Sequence, residues 1–195
     1  MKLGRIEKWF MNRSHHAKQT IENAERLLRF ISTEGRQDFL EVGCGSGAVS
    51  NHIARKHPMN VTGTDIDPDQ LRLAQQHSGN LANIRFVEAD AANLPFEDND
   101  FDIVLSFGVM HHISNWLDAL GEISRVLRPG GYFIYWDLVY PKWTAWIARL
   151  FEDKYGVTTI EDLDLFIARN NFGTIHSSLS KLLIFNHYEA VYQKS

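Results

Sequence analysis

FLEVGCGSGAVS, residues 39–50, opens as an apolar strand and then breaks on three glycines, Gly43, Gly45 and Gly47, each two residues from the next. A helical pattern carrying Val49 and Ile53 follows at once, so the glycines sit where a buried strand hands over to a helix. The chain alternates outward from this junction. Upstream, Ile21, Ala24, Leu28 and Ile31 recur at helical spacing and predict an amphipathic helix from Gln19 to Phe30. Downstream come the strand VTGTD, a helix to about Ser78, and the strand IRFVEAD. Asp67 opens that helix as a cap for free N–H groups, and Pro68 tolerates its first position.

FDIVLSF and YFIYWDLV read as two more strands, separated by a helix carrying Trp116, Leu120, Ile123 and Leu127 that Pro129-Gly130-Gly131 ends. Strands alternating with helices to about residue 139 predict right-handed crossovers and a mainly parallel α/β sheet covered on both faces. The remainder differs: a helix in EDLDLFIARNNF, then strands TIHSSLSKLLIF and HYEAVYQ joined by a turn around Asn186. With 195 residues and 44% hydrophobic content, one domain with one sizeable core is expected.

Charge and cysteine content narrow the function classes. The net charge is -4 and no stretch is dense in Lys and Arg, which argues against a nucleic-acid partner. The single cysteine, Cys44, makes no internal disulfide and reads as a small packed residue inside the turn. MKLGRIEKWFMNRSHH lacks the apolar core of a signal peptide, and no apolar run reaches the roughly 18 residues of a membrane span. A cytoplasmic protein with no membrane span is the expectation. His15-His16 has no third ligand at metal spacing, so no metal site is expected.

A glycine turn lets the backbone approach a ligand with no β-carbon in the way, and the following helix offers free N–H groups. Residues 43–48 loosely satisfy G-x-G-x-x-G/A, and Asp65 falls near the roughly 20-residue distance of an acid that holds ribose hydroxyls. The same turn also suits an ordinary tight reversal. Where it does bind, the spacing alone does not separate NAD from other adenosine cofactors.

Four motifs together carry more: Glu41-x-Gly43-x-Gly45-x-Gly47, Gly63-Thr64-Asp65-Ile66, Glu88-Ala89-Asp90-Ala91 with Leu94-Pro95-Phe96, and Leu127-Arg128-Pro129-Gly130-Gly131. In this order the sequence resembles the class I S-adenosylmethionine-dependent methyltransferases, in particular the small-molecule group related to ubiquinone and menaquinone biosynthesis. The resemblance implies a Rossmann-like, seven-stranded, mostly parallel sheet with an antiparallel last strand and helices on both faces. It divides the single domain into a helical cap (1–36), a cofactor-binding core (37–139) and an acceptor-side segment with the closing strands (140–195).

The resemblance also implies roles. Gly43, Gly45 and Gly47 would pass under the methionine part of S-adenosylmethionine, with Glu41 beside its ammonium end or organising the turn. Asp65 would accept from both ribose hydroxyls, since a carboxylate can take two donors at once. Ile66 would pack on the adenine, Asp90 would accept from its amino group, the Ala91 N–H would meet a ring nitrogen, and Phe107 would lie near the methionine tail or the adenosine. Asp102, where the family keeps a structural acid, stays outside the site.

The implied reaction is in-line attack on the sulfonium methyl, leaving S-adenosylhomocysteine. The protein then mainly aligns the acceptor and excludes water. A base, where one is needed, is sought in His111 and His112, which follow the fourth strand at the ligand edge. A packed or capping histidine is the plainer reading of that pair. Acceptor selection is expected in Trp9, Phe10 and Met11 and in the aromatics Tyr140, Trp143, Trp146, Phe151 and Tyr155; the stripe of Trp143, Trp146, Ile147 and Leu150 forms either a lid or core. The acceptor is expected to be a small, partly apolar or aromatic molecule. An NAD-dependent oxidoreductase and a non-catalytic adenosyl-binding module are the rival readings.

Overall fold

In the computed structural model, residues 14–35, 37–145, 156–182 and 185–195 are described. Trp9, Phe10, Met11, Trp146, Ile147, Leu150, Phe151 and Tyr155 lie outside them, as do the side chains of His15 and His16. The elements, in chain order, are α1 (Ser14–Leu28), β1 (Asp38–Val42), α2 (Ala48–Lys56), β2 (Asn60–Asp65), α3 (Pro68–Ser78), β3 (Ile84–Glu88), β4 (Phe101–Phe107), a short 3-10 turn (Met110–His112), α4 (Trp116–Val126), β5 (Leu127–Val139), α5 (Ile160–Arg169), β6 (Phe172–Leu182) and β7 (Phe185–Lys194). One seven-stranded sheet runs β3-β2-β1-β4-β5-β7-β6, with β7 antiparallel to both neighbours and the other pairs parallel.

Alternation along the central strands builds the two cores. Leu40, Val104, Phe133 and Tyr135 face α4 and α5, where Leu120, Ile123, Leu163 and Ile167 close the layer. Phe39, Ile103, Leu105 and Ile134 point the other way, toward Ala24 and Leu27 of α1 and Val49 and Ile53 of α2. Successive strand residues alternate faces, so an unbroken apolar strand serves two helical layers. All seven residues of β4 are buried for this reason.

Local signals fix the ends. Asp67 accepts from the Asp69 N–H at 3.0 Å and Pro68 takes the first turn of α3. At α5, Thr159 and Asp162 form a reciprocal capping box. Two expectations are corrected. Leu127-Arg128-Pro129-Gly130-Gly131 does not merely end a helix: the ladder of β5 already begins at Leu127 and shifts register before Tyr132. Asn186 is not in the turn, because it pairs with Lys181 and Val139 inside β7 and the reversal precedes it.

The helix before β1 is clamped near its C-terminal end. Glu25 of α1 meets His52, Lys56 and His57 of the α2 end, at 2.8, 2.8 and 3.0 Å, while Arg26 holds Glu189 of β7. Burial by itself would raise the Glu25 carboxyl, but the hydrogen bonds from Lys56, His57 and His52 outweigh it and hold the group down at about 2. A depressed carboxyl stabilises the fold above its unfolded value of about 4.5 and loses that contribution as pH falls toward 2. Glu25→Gln is therefore expected to cost about 1–2 kcal/mol at pH 7, after discounting for the solvent-exposed Lys56, and the difference should shrink between pH 4.5 and 2. Urea unfolding of both proteins across that range measures it.

Candidate functional site

The chain runs from β1 outward to β2 and β3, then returns to place β4 on the other side of β1. At such a switch point the connections leave in opposite directions and open a cleft beyond the carboxyl ends of the strands. A cavity of about 620 Å³ lies there, within the usual range for a small-molecule site. Glu41, Gly43, Gly45, Asp65, Ile66, Asp90, Ala91, Phe107, His111 and His112 all line it. Gly47 alone of the expected cofactor-binding and catalytic residues does not.

The turn shows why. All three glycines have positive φ, between 51° and 74°. A β-carbon on Gly43 would stand 2.4 Å from a Val109 methyl, so this glycine lets the turn press against the loop after β4. One on Gly47 would stand 2.7 Å from the Ala74 β-carbon. Gly47 therefore serves the packing of α2 on α3, while its neighbours Ser46 and Ala48 line the cavity. Gly45 has open space, with only Gln70 Oε1 at 4.0 Å. That oxygen is buried with no hydrogen-bond partner among the described residues, so the floor of the cavity holds an unused acceptor.

Asp65 ties this floor together. Its Oδ2 accepts from the Gly45 N–H and its Oδ1 from the Asp67 N–H, both at 2.9 Å. Burial raises its carboxyl above the ordinary value although these backbone donors oppose the shift. Each oxygen keeps a second lone pair, so the carboxylate can still take two further donors. Glu41 is more enclosed: it accepts from the Ser50 N–H at 2.8 Å and from the Ser50 hydroxyl. Burial pushes it up to about 7, Ser50 opposing the shift and the charge of Asp65 adding to it. Asp90, exposed at the end of β3, accepts from the Ala92 N–H at 3.0 Å and bridges to Asn93.

On the opposite side of the cavity stands an arrangement the sequence did not announce. His111 Nδ1 is hydrogen-bonded to Asp137 Oδ1. Asp137 is fully buried in β5 and also accepts from the N–H groups of Val109, Met110 and Leu138, at 2.9, 2.7 and 2.7 Å. A carboxylate so supplied acts as acceptor, so the proton of a neutral His111 sits on Nδ1 and the lone pair is left on Nε2. The ring of His112 lies 3.9 Å from that of His111, tilted by 42°. Trp136, Leu138 and His187 complete this wall, and Ala17 and Thr20 of α1 border the cavity. A charged residue inside the apolar run YFIYWDLV was the available signal for Asp137, since a buried charge needs donors. His187 had none, because only the pairing of β7 with β5 brings it there.

Other expected residues lie apart. Asp102 accepts from the Gln37 and Asp38 N–H groups and meets Arg128, tying β4 to the start of β1 outside the cavity. Burial would raise its carboxyl, and these partners bring it below the ordinary value instead. Cys44 borders the cavity but is buried, and burial raises its thiol well above the usual range, so it is no ready nucleophile. Trp143 is 72% exposed and does not line the cavity. Among the described residues no three His, Cys, Asp or Glu side chains gather as a metal site, and no helix is long and apolar enough to cross a membrane.

A glycine-floored cleft at the switch point, with carboxylates at the ends of β2 and β3, defines a doubly wound α/β protein with a small-molecule cavity at its strand ends. Residues 40–135 match the family described as Methyltransferase domain. A phthiotriol/phenolphthiotriol dimycocerosates methyltransferase of Mycobacterium ulcerans is 39% identical over 128 residues, 65% of this chain and 45% of that relative. A fatty-acid O-methyltransferase of Mycolicibacterium smegmatis is 42% identical over 105 residues, 53% of this chain and 38% of that relative. The chain thus spans less than half the length of these curated relatives. A solved geranyl diphosphate methyltransferase in complex with SAM shares the fold with a TM-score of 0.75 at 14% identity, over 94% of this chain and 92% of that one. Residues 40–135, just under half of the chain, thus carry a methyltransferase domain.

Proposed function

We propose that this protein transfers the methyl group of S-adenosylmethionine to a small, partly apolar acceptor. The observation that carries this reading is the Asp65 carboxylate fastened to the Gly45 backbone, at the edge of one cavity that also holds Asp90 and His111. That cofactor supplies a methyl carbon on a cationic sulfur, which keeps the electron pair of the broken bond as the acceptor's lone pair attacks. Gly43 and Gly45 would offer backbone to its methionine part, Asp65 would take the ribose hydroxyls, and Ile66 would cover the adenine. Asp90 and the Ala91 N–H would meet the adenine edge, and Phe107, whose ring lies 5.7 Å from that of Trp136, would lie near the methionine tail or the adenosine.

His111 then has a defined task. With Nδ1 engaged by Asp137, its Nε2 receives the proton of an acceptor O–H or N–H, and the buried carboxylate stabilises the imidazolium that forms. Ile113, Trp136 and Leu138 give the acceptor an apolar wall. The mycobacterial relatives, named for phthiotriol dimycocerosates and for fatty acids, support an acceptor with alkyl character. The single cysteine is in keeping with a cytoplasmic setting.

Calorimetry with S-adenosylhomocysteine and with NAD, followed by transfer of labelled methyl to a panel of alkyl and aryl acceptors, tests the reading. Binding of the sulfur compound in the micromolar range, no binding of NAD, and label in an acceptor are expected. Preference for NAD would move the protein to the oxidoreductases. Tight binding of S-adenosylhomocysteine without label in any acceptor would favour a non-catalytic adenosyl-binding module.

A further inference from the structure

His187 stands opposite Leu138 in the β5–β7 ladder, and both residues line the cavity on the side of His111 and Trp136. Its ring lies against the Trp136 indole, with centroids 4.3 Å apart. Nδ1 is buried, and no described group reaches it with a hydrogen bond. The charged and titratable groups around the ring are Asp137, His111 and Glu189; burial outweighs the attraction of the carboxylates and pushes the imidazole below its ordinary value, with His111 adding to the shift. A neutral ring carries one proton. On Nδ1 it would be a buried N–H with no acceptor, the rarer and costlier orphan in folded proteins; on Nε2 it leaves only a bare lone pair inside.

We infer that His187 is an acceptor-binding residue, whose Nε2–H donates to an oxygen next to the atom that is methylated. His111 and His187 then make complementary demands within one apolar pocket. His111 Nε2 takes a proton, whereas His187 Nε2 gives a hydrogen bond. An acceptor that meets both carries an O–H and a neighbouring carbonyl, ester or ether oxygen on an alkyl or aryl body, as in a hydroxy ester or hydroxy ketone. The inference rests on the methyltransferase reading above, which names the pocket's occupant but not its functional groups.

The test uses the protein saturated with S-adenosylhomocysteine, whose binding is measured first, so that failure of the parent reading shows separately. Long-range proton–nitrogen spectra of labelled protein at pH 7 should show His187 as the neutral Nε2–H tautomer. A charged ring or an Nδ1–H tautomer overturns the inference. Methyl 3-hydroxyoctanoate and 5-decanol, equal in chain length but different in oxygen content, then serve as probes in calorimetry. The hydroxy ester should bind about tenfold more tightly than the alcohol, the scale of one charge-free hydrogen bond in a dry pocket. His187→Phe, which keeps a ring against Trp136, should erase that preference while changing S-adenosylhomocysteine affinity less than about twofold, and His187→Gln should restore part of it. Equal binding of both probes to the unmodified protein, or a preference that survives in the phenylalanine variant, sinks the idea.

Discussion

Asp65→Ala is expected to weaken S-adenosylhomocysteine binding by about 100-fold or more, the combined loss of two hydrogen bonds to a charged group. Two effects act together. The ribose loses its carboxylate, and the Gly45 N–H, now held at 2.9 Å, loses the acceptor that sets the turn. Asp65→Asn separates them, because one amide oxygen can keep the Gly45 bond but cannot also serve Asp67 and two hydroxyls. Its affinity should fall between the parent and the alanine variant. Calorimetry on the three proteins measures this, and an alanine variant within about threefold of the parent would remove Asp65 from the site.

Asp137→Leu should be the most destabilising single change near the cavity, about 3–5 kcal/mol. The carboxylate receives four donors while fully buried, and leucine strands the N–H groups of Val109, Met110 and Leu138 together with the His111 ring. His111→Ala removes only one of these bonds and leaves three donors to the charge, so it should cost about 1–2 kcal/mol. Denaturant unfolding distinguishes them. Near-equal losses would mean that Asp137 serves the histidine alone and not the loop that leads out of β4.

Physical range decided what was legible in the sequence. β4 was readable to the residue because five apolar side chains, broken only by Asp102 and Ser106, lie between Asp100 and Gly108, a local contrast that needs no tertiary knowledge. Asp67-Pro68 named the start of α3 just as locally. The first helix, by contrast, begins at Ser14 and not near Gln19, since its opening turn is polar and shows no apolar period. The register shift after Leu127 depends on a neighbouring strand, and so does the membership of Asn186 in β7. Within the site, the glycines and strand-end acids were visible because backbone geometry and chain spacing define them. Gly47 shares its conformation with Gly43, and only the packing of α3, which brings Ala74 against it, sets it apart. Asp137 lies 26 residues from His111 in sequence, and His187 enters from β7, two strands beyond β4, so both needed the assembled sheet.

Glu41 sits with its carboxyl raised to about 7 in the buried wall of the same cavity. Near neutrality such a group is divided between its two forms, so an arriving cation must displace a hydrogen ion from part of the population before it enjoys the full negative charge. The grip on a positively charged guest therefore tightens as the medium turns alkaline through that midpoint, whereas an uncharged guest is nearly indifferent. A guest that presents an ammonium group to this carboxyl would thus be held more firmly in alkaline than in acidic surroundings.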